Sequence, residues 1–174
     1  MDLRKSPRLM AMHDQLQLKI DLTTQTLDVI HGGELLLRYP VSTARNGPGE
    51  RVNSECTPRG RHVIAEKIGG DVDLNTVFVG RRVTGEVYSP TFAATQPPNR
   101  DWIITRILWL AGCEPGVNQG DGCDSYARYI YIHGTPDITT IDKPGSRGCV
   151  RMRNEDIIEL FSRVKVGTPV VIHE

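Results

Sequence analysis

Tyr129-Ile130-Tyr131-Ile132-His133-Gly134, an eleven-residue loop, then Ser146-Arg147-Gly148-Cys149-Val150-Arg151 is the stretch that decides the reading of this chain. Its β-branched and aromatic run predicts a strand, with Tyr129, Tyr131 and His133 on one face and Ile130 and Ile132 on the other. A strand therefore carries an imidazole at its end. A cysteine attacks carbonyl carbon as its thiolate, which needs a base and nearby positive charge; His133, Arg147 and Arg151 supply both. Gly148 has no side chain to cover the backbone, so the N–H groups of Gly148 and Cys149 are placed to face a developing oxyanion. A lone cysteine is more often a buried core residue, and a histidine at a strand end often only bonds backbone. The paired motif outweighs both readings, with Cys149 attacking and His133 moving the proton.

Outward from this stretch, Asn154 is expected to cap a helix, with Glu155 and Asp156 in its first turn and Ile157, Ile158, Phe161 and Val164 on an apolar stripe. Gly167-Thr168-Pro169 breaks that helix, and Val170 to His173 forms a closing strand. Upstream, Leu16 to Asp21 and Thr26 to Ile30 alternate about a polar turn at Thr23 to Gln25, which predicts a hairpin. His31-Gly32-Gly33-Glu34 is a second turn. Leu35 to Ser42 follows as a strand, ended by the loop Asn46-Gly47-Pro48-Gly49. Residues 61–68 and 76–83 read as strands, 90–98 as loop, and Ile103 to Leu110 as a strand running toward the site. Glu114 to Ser125, rich in Gly, Asp and Asn, reads as an ordered surface loop that shapes the cleft beside the site.

A chain of 174 residues is the size of one domain, spanning 1–174, and buries roughly 70 % of its unfolded surface without a disulfide or metal staple. Seventeen Gly and eleven Pro between short β-branched runs favour a mostly β fold over a helical bundle. Lys+Arg and Asp+Glu both number 21, which argues against general attraction to nucleic acid or an anionic membrane. Met1 to Leu18 holds only the apolar island Leu9-Met10-Ala11-Met12, too brief for a signal-peptide core. That predicts a cytoplasmic protein, or a periplasmic one if the chain has been trimmed. Cys56, Cys113, Cys123 and Cys149 are read as reduced. No zinc spacing joins Cys113, Cys123 and His133, and Asn46 to Gly49 lacks the ending of a phosphate loop, so neither metal nor cofactor is expected. His13, His31, His62 and His173 read as ordinary.

With these residues in view, the sequence resembles the L,D-transpeptidase catalytic domain family (YkuD-like), whose signature is His-Gly, a loop, then Ser-His-Gly-Cys, an apolar residue and Arg or Asn. Val41-Ser42-Thr43-Ala44 and Thr57-Pro58-Arg59-Gly60 leading into His62-Val63-Ile64 extend the similarity over nearly the whole chain. Arg147 departs from it, standing where the family most often has a second histidine. The resemblance implies a mostly β, sandwich-like domain with a short helix after Cys149. It also implies that the Gly134 carbonyl orients His133 and that Arg151 lies in the site, where its guanidinium fork holds a substrate carboxylate. Ser146 shapes the turn, Arg147 either touches substrate or lies on a solvated loop, and Tyr131 packs or walls the cleft. The implied substrate is a peptidoglycan stem tetrapeptide: Cys149 attacks the carbonyl of the L-centre of meso-diaminopimelate and expels D-Ala. Resolution by water makes an L,D-carboxypeptidase of murein recycling, which the missing export signal favours. Resolution by an amine makes an L,D-transpeptidase, and carbapenems are expected to form a covalent adduct at Cys149. An inactive peptidoglycan-binding module is the alternative of another class.

Overall fold

Alternation turns into burial along the first hairpin of the computed structural model, which describes residues 15–174. Leu18 and Ile20 on one strand and Leu27 and Val29 on the next are fully buried, while Lys19 between them faces solvent. The Asp21 carboxylate accepts the N–H groups of Thr23 and Thr24 at 2.8 and 3.0 Å, which closes the turn. The readings of His13 and of almost all of Met1 to Leu18 lie outside the described residues.

The elements are β1 (Leu16–Asp21), β2 (Thr26–His31), β3 (Glu34–Pro40), β4 (Gly60–Ile68), β5 (Thr76–Val79), β6 (Arg82–Val87), α1 (Pro90–Ala93), β7 (Ile103–Gly112), β8 (Tyr131–Gly134), β9 (Val150–Met152), α2 (Asn154–Arg163) and β10 (Pro169–His173). The strands form one network, ordered β3-β2-β1-β10-β4-β7-β5-β6, with β8 joined to β7 and β9 joined to β8. Two pairings are parallel, β1 with β10 and β8 with β9. Just beyond β3, Ser42 bridges Arg151 of β9, so β3 and β9 are tied and the network curls back on itself. This gives the expected sandwich-like enclosure from one continuous hydrogen-bonded circuit. It wraps a core that includes Leu18, Ile20, Ile64, Leu108, Ile132, Val150 and Met152, closed by Ile157 and Leu160 of α2.

Several elements differ from expectation. The strand expected over 76–83 is a hairpin, β5–β6, turned at Gly80-Arg81 with both residues at positive φ. Segment 90–98 opens with the short α1, capped by Ser89 accepting the Phe92 N–H at 3.1 Å. A three-residue strand, β9, intervenes between Cys149 and the helix. Arg153, not Asn154, holds the N-cap position of α2 and makes no side-chain cap. Asn154 instead turns its amide inward, to Thr105 and Asn75. Tyr129 precedes β8, at φ 57 and 53 % exposed.

Candidate active site

The parallel pairing of β8 and β9 assembles the site. His133 lies opposite Arg151 and Ile132 opposite Val150. Register partners in a parallel pair show their side chains on the same face, and the alternation is by twos. Tyr131, His133, Cys149 and Arg151 therefore share one face, while Ile132 and Val150 point into the main core. Cys149 packs with Tyr131, Trp109, Ile107 and Phe78 in a second apolar cluster.

His133 is fully buried, and its Nδ1 lies 2.7 Å from its neighbour Gly134's carbonyl oxygen. A carbonyl only accepts, so Nδ1 carries the proton and Nε2 of the neutral ring is a bare lone pair. Nε2 is buried with no hydrogen-bond partner. The Gly134 backbone is pinned in turn: a Cβ there would meet the Ile104 carbonyl and the Asn154 Oδ1, each at 2.6 Å. Thr105 Oγ1 donates to the same Asn154 Oδ1 at 2.7 Å. Thr105 is a β-branched residue at φ 73, in the bulge between Ile104 and Ile107, a strained conformation held by its burial.

The loop that carries Cys149 is equally constrained. Gly148 has φ 131, and a Cβ there would lie 3.2 Å from the Cys56 carbonyl oxygen. Its carbonyl accepts Thr57 Oγ1–H at 2.9 Å, and Thr57 Oγ1 accepts the Ala44 N–H at 3.0 Å. Ser146 shapes the turn as expected, its hydroxyl donating to the Cys149 carbonyl at 2.5 Å and accepting the Gly148 N–H at 3.1 Å. That second bond corrects the expected pair of oxyanion donors. The Gly148 N–H is occupied in the resting site, whereas the Cys149 N–H has no assigned acceptor among the described residues.

Charge around the sulfur also differs from expectation. Burial pushes the Cys149 thiol up to about 12, with the Tyr131 N–H, Arg151 and Arg128 pulling down and Asp101 pushing further up. Arg128, which donates to the Cys56 carbonyl at 2.6 Å, is one of the cations acting on the thiol. The resting side chain is a thiol that accepts the Tyr131 N–H at 3.4 Å and donates to the Tyr129 carbonyl at 3.3 Å. Burial likewise holds the His133 imidazole below its ordinary value, with Arg151 lowering it and Asp101 and Gly134 raising it. Asp101 thus favours the imidazolium, and Arg151 favours the thiolate.

Asp101 and Arg128 are what the sequence reading missed, since an Asp in a loop before a strand and an Arg in an irregular segment carry no motif. Arg151 is in the site, but its guanidinium is already engaged, donating to Asp101 Oδ1 at 2.7 Å and to the Gly145 carbonyl at 3.2 Å. The free substrate fork expected of it is therefore an internal ion pair. Tyr131 is both packing and wall: it is buried edge-on to Trp109, and its hydroxyl accepts from Arg81 at 3.2 Å. Arg147 is exposed and makes no ion pair among the described residues. The loop Glu114 to Ser125 does not line the cleft: its residues 116–117 and 121–123 border a separate depression with Glu50, Arg51 and Val52. Among the described residues no group of His, Cys, Asp and Glu is arranged to hold a metal.

Two cavities meet here. One, of about 510 Å³, is lined by Cys149, Tyr129, Tyr131, Ile103, Gly80 and Arg81 together with Asp101 and Arg147. The other, of about 540 Å³, shares Asp101 and Arg147 and adds Arg45, Glu55, Arg100 and Arg151. The tip of the β5–β6 hairpin roofs the first, with the Arg81 guanidinium 4.5 Å from the Trp109 ring and 4.8 Å from that of Tyr129.

A buried imidazole with a fixed tautomer, beside a cysteine at a glycine-enforced turn, defines a thiol site on a closed β scaffold. The chain belongs to the L,D-transpeptidase catalytic domain family (YkuD), whose model matches residues 16–172. A Bacillus licheniformis protein named for L,D-transpeptidase YkuD is 54% identical over 79 residues, covering 45% of this chain and 46% of that protein. An Escherichia coli protein named for L,D-transpeptidase YbiS is 36% identical over 109 residues, 60% of this chain and 34% of that protein. The chain thus matches under half the length of these relatives. L,D-transpeptidase 3 from Mycobacterium tuberculosis, solved in complex with a faropenem-derived adduct, shares the fold at a TM-score of 0.56 and 15% identity, over 91% of this chain and 60% of that one.

Proposed function

We propose that this domain performs cysteine-dependent acyl transfer on the L,D bond between meso-diaminopimelate and D-Ala of peptidoglycan stem tetrapeptides. The observation that carries this reading is the His133 tautomer: Nδ1–H is committed to the Gly134 carbonyl, so the bare Nε2 is the acceptor on the face that holds Cys149. As substrate enters, the thiol leaves the Tyr129 carbonyl and passes its proton to Nε2 while Sγ bonds the carbonyl carbon. The Cys149 N–H receives the oxyanion. Collapse breaks the C–N bond, and His133 returns the proton to the departing D-Ala amine. The thioester is then opened by an incoming nucleophile, deprotonated by the same Nε2, and the thiol is restored. Asp101 stabilises the transient imidazolium and Arg151 the transient thiolate, so the ion pair between them is poised for both steps.

Water is the favoured resolving nucleophile, giving an L,D-carboxypeptidase of murein recycling. The partly exposed Tyr129 and the polar groups of Arg81, Asp101 and Arg147 around Cys149 support water access to the thioester. Transfer to a second stem peptide is the other reading, favoured by the second cavity meeting the first at Asp101 and Arg147. Mass spectrometry after incubation with tetrapeptide and excess acceptor amine separates them. Mainly tripeptide supports hydrolysis, cross-linked dimer or exchanged D-amino acid supports transfer, and unchanged tetrapeptide overturns the enzymatic reading in favour of a binding module. A carbapenem, acylating the same sulfur, is expected to block every product.

A further inference from the structure

The polar cavity beyond Cys149 has a cationic wall that the acyl chemistry does not use. Ala44 pairs with Ser146 in a parallel bridge, and the Arg45 N–H donates to the Ser146 carbonyl at 2.9 Å. The next residues along each segment, Arg45 and Arg147, are thereby set side by side in register, and both side chains line the same cavity. The other charges there are largely matched. Arg151 is paired with Asp101, and Arg100 with Glu86. Glu55, the remaining carboxylate of the wall, makes no ion pair with either arginine, and neither Arg45 nor Arg147 has a side-chain partner among the described residues. Two guanidiniums with unmet planar donors, one of which also lines the Cys149 cavity, match a carboxylate in geometry and charge.

We infer that Arg45 and Arg147 form a clamp for a second free carboxylate of the peptide, distinct from the terminal carboxylate of the leaving residue. This rests on the peptide reading of the site and gives it a specificity. The protein selects stem peptides whose side carboxylates are free over those in which they are amidated. Overall charge balance, 21 basic against 21 acidic residues, argues against a general attraction for polyanions and favours a small acid held locally. Arg147 shares the wall between the two cavities, so a peptide whose scissile carbonyl lies at Cys149 reaches the clamp by crossing it. A stem tetrapeptide has two such carboxylates, one on the γ-linked glutamate and one at the distal centre of diaminopimelate.

The test compares D-Ala release from the free-acid tetrapeptide with release from two analogues, each amidated at one of these carboxylates. The parent is expected to prefer the free acid to one analogue by on the order of tenfold in kcat/KM, mostly through KM. The analogue that is penalised identifies the carboxylate. Arg45→Gln and Arg147→Gln should each shrink the preference and the double variant should remove it. Equal use of acid and both amides by the parent, or a preference that survives in the double variant, overturns the clamp. Binding of the same three peptides to Cys149→Ala protein gives the comparison without turnover. Absent D-Ala release from every peptide with selective binding retained refutes the acyl-transfer reading and supports the clamp, whereas equal binding refutes the clamp alone.

Discussion

The β8–β9 pair and the β5–β6 hairpin face each other across one cavity, and they are built in opposite ways. On β8–β9, Tyr131, Ile132, His133 and Gly134 are all buried, and Gly134, whose carbonyl orients His133, sits so close to Asn154 and the Ile104 carbonyl that a Cβ has no room. On β5–β6, β5 buries Val77 and Phe78, but Val79 and the residues of β6, Val83 and Val87 among them, are exposed or half-buried, and the turn at Gly80 and Arg81 edges the cavity with Arg81 laid over Trp109 and Tyr129. The proposed chemistry stands on buried groups, and access is governed by the turn and outer strand of a hairpin whose inner strand alone is packed.

The sharpest way to break this contrast is to remove the proposed nucleophile. Cys149→Ala should abolish D-Ala release with the melting temperature nearly unchanged, because the side chain contributes one small group to the second cluster. Cys149→Ser should be nearly as inactive, since a hydroxyl is far less acidic than a thiol. Retained turnover in either would move the chemistry elsewhere. His133→Ala should follow, with a loss of about 10²–10⁴-fold in kcat. Rescue of the rate by added imidazole would localise the loss to proton transfer.

Gly134→Ala probes rigidity one step behind the reacting groups. Its Cβ would collide with the Ile104 carbonyl, and backbone must shift; a cost of roughly 1–3 kcal/mol in urea unfolding is expected. The ring of His133 should be displaced with it, so kcat should fall more than KM changes. An active, fully stable Gly134→Ala protein would contradict the pinned carbonyl.

The pH dependence reports the same burial. His62 and His133 are both held below the ordinary imidazole value by desolvation. As pH falls through about 6.5 the unfolded chain binds these protons first, so stability is lost toward acid until the lowered folded values are passed. The slope between pH 6.5 and 5.5 should reach at most about 1.4 kcal/mol per pH unit for each such histidine. His133→Ala should flatten that slope, and an unaltered slope would show that His133 does not contribute. Activity should also hold its acid limb below pH 6.5, with no basic limb from a thiol lying near 12. The smallest effect is expected on the hairpin. Arg81→Ala removes cation–π contacts with a worth of about 0.5–1 kcal/mol each at exposed sites, and should shift KM a few-fold with little change in stability.

What could be read from the sequence, and what could not, follows the same division. Alternation revealed β1, β2 and β8 and an apolar run revealed β7, and the Gly-Cys turn with its His-Gly partner singled out Cys149 and His133, which the structure brings to one face, because local pattern fixes those features. Arg82 to Val87 escaped because its Val, Thr and Gly sit on an exposed ribbon with no buried face to set a pattern. Asn154 looked like a cap because its place before Glu155 and Asp156 fits one. Only the tertiary approach of Thr105 and Asn75 turns it inward. Arginines near the sulfur suggested a ready thiolate, yet desolvation outweighs them and Arg151 is engaged by Asp101, a residue 50 positions away in the chain. Most of the terms that went unseen are long-range; the Ser146 hydroxyl on the Gly148 N–H, two residues away, is the local one.

The most direct test of the account is peptide-mapped mass spectrometry of protein quenched in acid during turnover of the tetrapeptide. The account predicts a tripeptidyl thioester on the peptide containing Cys149, with free D-Ala released in step and no adduct in the Cys149→Ala protein. Tripeptide formed without any adduct under rapid quench, or an adduct carried by Cys56, Cys113 or Cys123, would contradict it.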